Sequence, residues 1–211
     1  LTPMKLTIQH LIHAYKSGAK NFDSIFEKVS STIINQIEVL NQIASEFSRF
    51  ARMPGINAEE INPVEIIEDT LNLYQDEQVQ FNCTFEARQD RILLDKSQFR
   101  RMMVNLIRNS IQAGAKEIRI TTKSEMGLFI INLSDNGEGV PEADRDMIFN
   151  QGFTTKQGGM GLGLSMIKRL LENAGGSIKF FENTEYPANF TIELPIVSQN
   201  TSKKKKKWKI N

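Results

Sequence analysis

DNGEGVPEADRDMIFNQGFTTKQGGMGLGLSMIKRLL, residues 135–171, is the stretch on which the fold turns. It holds two glycine clusters, Asp135-Asn136-Gly137-Glu138-Gly139 and Gly158-Gly159-Met160-Gly161-Leu162-Gly163. Between them lies a segment with Phe149, Phe153, Thr154, Thr155 and Lys156. Glycine permits positive φ and close approach of backbone to a ligand. The second cluster runs into Leu164, Ile167, Leu170 and Leu171 at helical spacing, so a helix opens directly behind it. A helix start of this kind offers free N–H groups and the positive end of its dipole to phosphate oxygens. This is the chemistry of a nucleotide pocket with a lid, and it puts a triphosphate near Gly161 and Gly163. A glycine-rich turn before a helix is also a common tight loop, so a third element has to carry the reading.

That element lies upstream in KSQFRRMMVNLIRNSIQAGA, residues 96–115. Phe99, Met102, Met103, Leu106, Ile107 and Ile111 form one helical stripe, while Asn105, Arg108, Asn109 and Gln112 fall on or beside the opposite face. Asn105 and Asn109 stand one turn apart and point the same way. Asparagine is a mediocre helix former, so the pair is either a solvated face or a functional one. The functional reading offers a carboxamide oxygen to a Mg²⁺ ion that also holds phosphate oxygens.

With these three elements in this order, residues 62–196 resemble the ATP-binding domain of sensor histidine kinases and their relatives, the GHKL superfamily. Asn105 to Asn109 resembles its N box, Asp135-x-Gly137-x-Gly139 its first glycine box, Phe149 to Phe153 its F box, and Gly159-x-Gly161-x-Gly163 its second glycine box, leading into Leu164. The resemblance implies that Asn109 ligates Mg²⁺ with Asn105 in support, and that Asp135 accepts a hydrogen bond from the adenine amino group. A carboxylate accepts and cannot donate, which favours an exocyclic amine over the carbonyl of guanine. Lys156 and the threonines beside it could meet the γ-phosphate, and the segment Asn150 to Gly158 is expected to be mobile until nucleotide arrives. Two departures from the family pattern stand out. Gln112 occupies a place where many sensor kinases carry lysine or histidine, so a basic phosphate contact passes to Arg108 or Lys156. Tyr186-Pro187-Ala188-Asn189 replaces the usual third glycine motif.

The rest of the chain fits an α+β protein: a helical hairpin followed by a two-layer α/β sandwich of the histidine-kinase ATPase (Bergerat) type. The 211 residues carry a formal charge of +1, of which Lys203 to Lys207 and Lys209 contribute +6 and leave −5 for the remainder. That mildly acidic body argues against nucleic acid as a partner. The one cysteine, Cys83, excludes an internal disulfide framework and reads as a strand or core residue. No apolar run reaches membrane-spanning length, and the expected location is cytoplasmic, with a membrane-anchored parent.

Residues 1–53 show no strand signal. Phe26, Val29, Ile33, Ile37, Leu40, Ala44, Phe47 and Ala51 alternate by three and four, which makes a seam for another helix. A shorter helix precedes it with Leu6, Leu11 and Ile12 inward, closed by Ser17-Gly18-Ala19. Such a hairpin buries little alone, so pairing with a second copy into a four-helix bundle is its natural completion. Leu1 to Leu6 resembles the tail of an H box, and Glu46 to Pro54 the end of the second hairpin helix in nitrogen-regulation kinases of the NtrY type. The resemblance puts the phosphoacceptor histidine upstream of Leu1, and neither His10 nor His13 has the acidic neighbour that an acceptor needs.

Residues 54–61 read as a linker. Asn62 then caps a helix with Pro63 at its first position and Glu65 in its first turn. VQFNCTFEA and RILLD read as strands, EIRITTKSEMGLFIINLSD as a hairpin around Glu125-Met126-Gly127, and SIKFFEN and NFTIELP as two final strands. Residues 197–211 form a basic tail with Trp208, read as a disordered end.

The implied function is the catalytic portion of a sensor histidine kinase, with a response-regulator receiver domain as downstream partner. A GHKL-type ATPase would carry a glutamate in the N-box helix where Arg108 and Asn109 stand here. A dimeric scaffold with a vestigial pocket is the non-enzymatic alternative.

Overall fold

The computed structural model describes residues 2–18, 21–51, 57–156, 159–182 and 185–197, and side chains for all of these except 2–5 and 38–51. The chain divides into two compact units, Leu1–Met53 with Thr154–Met160, and Pro54–Phe153 with Gly161–Asn211.

In the first unit α1 (Thr2–Lys16) and α2 (Phe22–Ala51) form the expected hairpin. Ser17 and Gly18 donate their backbone N–H to the carbonyls of His13 and Tyr15, and Gly18 takes a φ of +60°, which ends α1. Ala14 and Val29 are buried, and the Phe22 ring lies 5.7 Å from Tyr15 and 6.1 Å from Phe26. Leu6 and Ile12, expected inward, are exposed, because two helices have only one mutual seam and both residues lie off it. Phe26 and Ile37 of the predicted α2 seam are exposed too. The side chains of Leu40, Ala44, Phe47 and Ala51 lie outside the described set.

In the second unit the elements run β1 (Glu59–Ile61), α3 (Pro63–Leu71), β2 (Gln80–Phe85), β3 (Ile92–Leu94), α4 (Lys96–Gln112), β4 (Glu117–Glu125), β5 (Leu128–Asp135), α5 (Gly163–Asn173), β6 (Ser177–Phe181) and β7 (Ala188–Pro195). The main sheet has the order β2-β4-β5-β7-β6, with β2 parallel to β4 and the other pairs antiparallel.

Local chemistry accounts for most boundaries. Asn62 Oδ1 accepts from the N–H of Val64 at 3.1 Å and of Glu65 at 3.5 Å, with Pro63 at the first helical position as the sequence predicts. Asp95 caps α4 in the same way through the N–H of Ser97 and Gln98. Met126 and Gly127, with φ of +50° and +81°, make the two-residue turn between β4 and β5 whose twist matches the strands.

Ile118 and Ile120 of β4, Phe129, Ile131 and Leu133 of β5 and Ile192 of β7 are fully or almost fully buried against Ile67, Phe99, Met103, Leu106 and Leu171 of the helices. The alternate positions Asn132, Ser134 and Thr191 make a polar outer face, so the unit has two layers. Strand alternation also turns Asp135 inward, at the last position of β5.

The linker expectation is corrected. Part of the supposed linker, Glu59–Ile61, is a strand paired antiparallel with β3, because Ile61 gains burial beside its register partner Ile92. Of the two readings of Cys83, strand or core, the structure bears out the strand: it lies on the edge strand β2 and is exposed. Residues 198–211, which hold all the lysines of the basic tail, lie outside the described residues.

Candidate functional site

The site begins with Asp135. Its carboxylate ends β5 only 2% exposed, and accepts from Ser110 Oγ at 2.6 Å and from the Gly137 N–H at 3.0 Å. Burial pushes its pKa above the ordinary aspartate value, against the opposing pull of these two hydrogen bonds. The following loop is tied down on both sides. Asn136 Oδ1 accepts from the N–H of Lys116 at 2.8 Å and of Glu117 at 2.9 Å, and the Glu138 N–H donates to Ala113 O at 3.0 Å. A Cβ at Gly137 would lie 2.7 Å from Ala113 O, and one at Gly139 would lie 2.8 Å from Pro187 Cβ, so glycine is required by close approach.

Helix α4 supplies the next wall. Phe99, Met102, Met103, Leu106 and Ile107 are buried as its stripe predicts, Ile111 is half-buried, and Asn105 and Asn109 are half-buried on the other side. The Asn105 carboxamide abuts the start of α5: a Cβ at Gly163 would lie 2.7 Å from its Nδ2. Leu162 provides no side-chain cap to α5, so the first N–H groups of that helix keep their donor capacity for an anion. Gly161 takes a φ of +63°, and a Cβ there would lie 2.3 Å from Phe153 O and 2.4 Å from Gly152 C. Its carbonyl accepts from the Gly152 N–H at 3.0 Å. Phe149, Phe153 and Leu164 are half-buried against the core. Arg108 is exposed, close enough for its charge to pull down the Tyr74 pKa that burial raises, and Tyr74 donates to Val104 O at 3.4 Å.

The structure thus sets Gly137 against Asp135 and Ala113, Gly139 against Pro187, Gly161 against Gly152 and Phe153, and Gly163 against Asn105, while Asn109 stands one turn beyond Asn105 on α4. Thr154, Thr155, Lys156 and Gly159 belong to the other unit, where the Lys156 N–H donates to Thr154 Oγ1 at 3.1 Å. Residues 157 and 158 lie outside the described set.

Residues 94–198 match the family described as histidine kinase-, DNA gyrase B-, and HSP90-like ATPase. These residues belong to that ATPase family. The chain is 28% identical over 200 residues to nitrogen regulation protein NtrY of Azorhizobium caulinodans, covering 88% of this chain and 25% of NtrY. It therefore spans about a quarter of that relative's length. The nucleotide-free catalytic domain of histidine kinase ThkA superposes with a TM-score of 0.61 at 26% identity, covering 66% of this chain and 95% of that domain. ThkA in complex with response regulator protein TrrA matches with a TM-score of 0.69 at 21% identity over 93% of this chain and 59% of ThkA, a likeness of fold.

Three features of the ATPase domain escape the sequence reading. Ser110 interrupts the apolar face of α4 with a hydroxyl, a signal visible in the sequence, while its partner Asp135 is 25 residues away. Asn136 pins the first glycine loop through its own side chain. In place of a third glycine motif, Tyr186 donates to Glu117 Oε1 at 2.5 Å, and Pro187 packs against Gly139. The departure from the family pattern is thus filled by contacts that brace the same loop.

Proposed function

We propose that this ATPase domain holds MgATP and is the phosphoryl-donor portion of a sensor histidine kinase. The observation that carries the reading is the Asp135 carboxylate: buried, clamped through one lone pair on each oxygen, and retaining acceptor capacity for an exocyclic amine. Asn109, with Asn105 beside it, would hold Mg²⁺, and its neutral carboxamide suits an ion that prefers oxygen ligands and keeps most of its shell as phosphate and water. The ion supplies charge neutralisation on the phosphates. The α5 N-terminus and Gly161 would receive phosphate oxygens.

In the proposed reaction a histidine ring nitrogen attacks the γ-phosphorus as its bond to the β,γ-bridging oxygen breaks, releasing ADP. An aspartate of a response-regulator receiver domain then takes the phosphoryl group. The protein's contribution is positioning and charge neutralisation. Residues 62–196 act as the nucleotide domain and residues 1–53 as the dimerising hairpin. The exposed Leu6, Ile12, Phe26, Ile34 and Ile37 support a homodimer, since a second copy would cover apolar surface that one hairpin leaves in water. No helix among the described residues is long and apolar enough to cross a membrane, and we place the domain on the cytoplasmic side of a membrane-anchored parent.

Calorimetry with MgATP, followed by addition of a histidine-bearing hairpin from a homologous kinase, tests the reading. Binding and acid-labile phosphate on the added hairpin are expected. Asn109→Asp should weaken MgATP binding by about tenfold or more, because a carboxylate repels the phosphates that the carboxamide tolerates. A wild-type chain that binds no nucleotide would sink the proposal.

A further inference from the structure

Ser110 is a polar side chain in an apolar stripe. It shares the inward face of α4 with Leu106 and Ile107 and is 2% exposed. A buried hydroxyl needs partners, and this one has two acceptors, Asp135 Oδ2 at 2.6 Å and Leu106 O at 3.3 Å. It has one proton to give. The shorter, charge-assisted bond to the carboxylate takes it. With the Gly137 N–H on Oδ1, both oxygens of Asp135 are held in one orientation.

We propose that Ser110 is a positioning and specificity-determining residue, whose hydroxyl keeps Asp135 an acceptor and so selects adenine over guanine. The inference rests on the nucleotide reading above. Adenine presents an exocyclic amine where guanine presents a carbonyl oxygen. An ionised carboxylate accepts from the amine and repels the carbonyl, whereas a protonated carboxyl can donate to the carbonyl. Selection therefore depends on which form the site stabilises.

Burial favours the protonated form, and the two hydrogen bonds oppose it. The groups facing Asp135 are neutral. Its register partners are Ile118 on β4 and Ala188 on β7, and α4 brings the Ser110 hydroxyl. The neighbouring carboxylate, Glu117, projects to the opposite sheet face, where Asn82 and Tyr186 donate to it. Among the described residues no cation acts on the carboxylate, so the Ser110 hydroxyl and one backbone N–H carry the task of keeping it ionised.

The test uses the full chain as wild type, Ser110→Ala and Ser110→Thr, with calorimetric affinities for MgATP and MgGTP across pH 5.5 to 8.5. Ser110→Ala should lose about tenfold or more of the ATP-over-GTP preference, the scale of one hydrogen bond to a charged group. Its ATP affinity should also begin to fall at a higher pH than wild type, and Ser110→Thr should restore both. Infrared spectra supply a readout that a purely structural role would not move. A protonated-carboxyl band, assigned by its loss in Asp135→Asn, should persist to higher pH in Ser110→Ala. A Ser110→Ala protein with wild-type preference, pH profile and infrared band would overturn the proposal while leaving the nucleotide reading intact. A wild type that binds no nucleotide would remove both.

Discussion

The two glycine clusters look alike in the sequence, yet the structure builds them differently. The first is fastened to the sheet and to α4 by Asn136, the Glu138 N–H and the Asp135 carboxylate, and its glycines are required by walls at Ala113 and Pro187. The second is shaped mainly by backbone close to it in the chain, Gly161 lying against Gly152 and Phe153, with one long-range contact where Gly163 meets the Asn105 side chain of α4. A loop held by secondary structure suits a flat base that must be read in one orientation. A loop followed by an uncapped helix start suits phosphates, which need N–H donors left available.

Substitutions can break this comparison. The largest effect is expected at Gly161→Ala, where positive φ and three backbone atoms within 2.5 Å force the loop to move. A cost of about 3 kcal/mol, roughly a hundredfold in MgATP affinity, follows if the shift falls on the bound geometry, and calorimetry reads it. Gly137→Ala comes next, because its Cβ meets the carbonyl that the Glu138 N–H needs. We expect about 1–3 kcal/mol of lost fold stability, seen as a lower melting temperature. If Gly161→Ala lowers the melting temperature more than Gly137→Ala does, the distinction between a fastened and a free-standing loop is wrong.

The smallest effect sharpens the picture of the first loop. Burial raises the Asp135 pKa, so between the ordinary aspartate value and the raised one the folded chain holds a proton that the unfolded chain releases. Stability therefore falls as pH rises through that window and stays lowered above it. Asp135→Asn removes the charge, and its amide can still accept from Gly137 and donate to Ser110. The nucleotide-free variant should melt above wild type at pH 7, with the gap closing as pH falls below the ordinary aspartate value. Equal melting curves at both pH values would show that the carboxylate is better solvated than its burial implies.

Features carried by neighbours in the chain were legible without coordinates. Asn62 and Pro63 announce the start of α3, Met126-Gly127 the turn between β4 and β5, and the spacing from Phe99 to Ile107 the buried face of α4. The glycine clusters and the asparagine pair were legible as a set, since their order along the chain carries the resemblance to the ATPase family. Other positions were misread where burial depends on a distant partner. Leu6 and Ile12 are apolar and exposed, and Glu59–Ile61 becomes a strand only because β3 returns beside it 31 residues later.

By itself, then, the sequence determined the elements, their faces and the inventory of donors and acceptors, because helical and strand periodicity, caps and turns are set by residues a few positions apart. Tertiary structure decided which of those groups meet. The bond from Ser110 to Asp135, the packing of Pro187 on Gly139 and of Asn105 on Gly163 join residues 25, 48 and 58 positions apart. The physical reason is that such contacts arise from the order and register of the strands and the packing of helices on them, which no local pattern encodes.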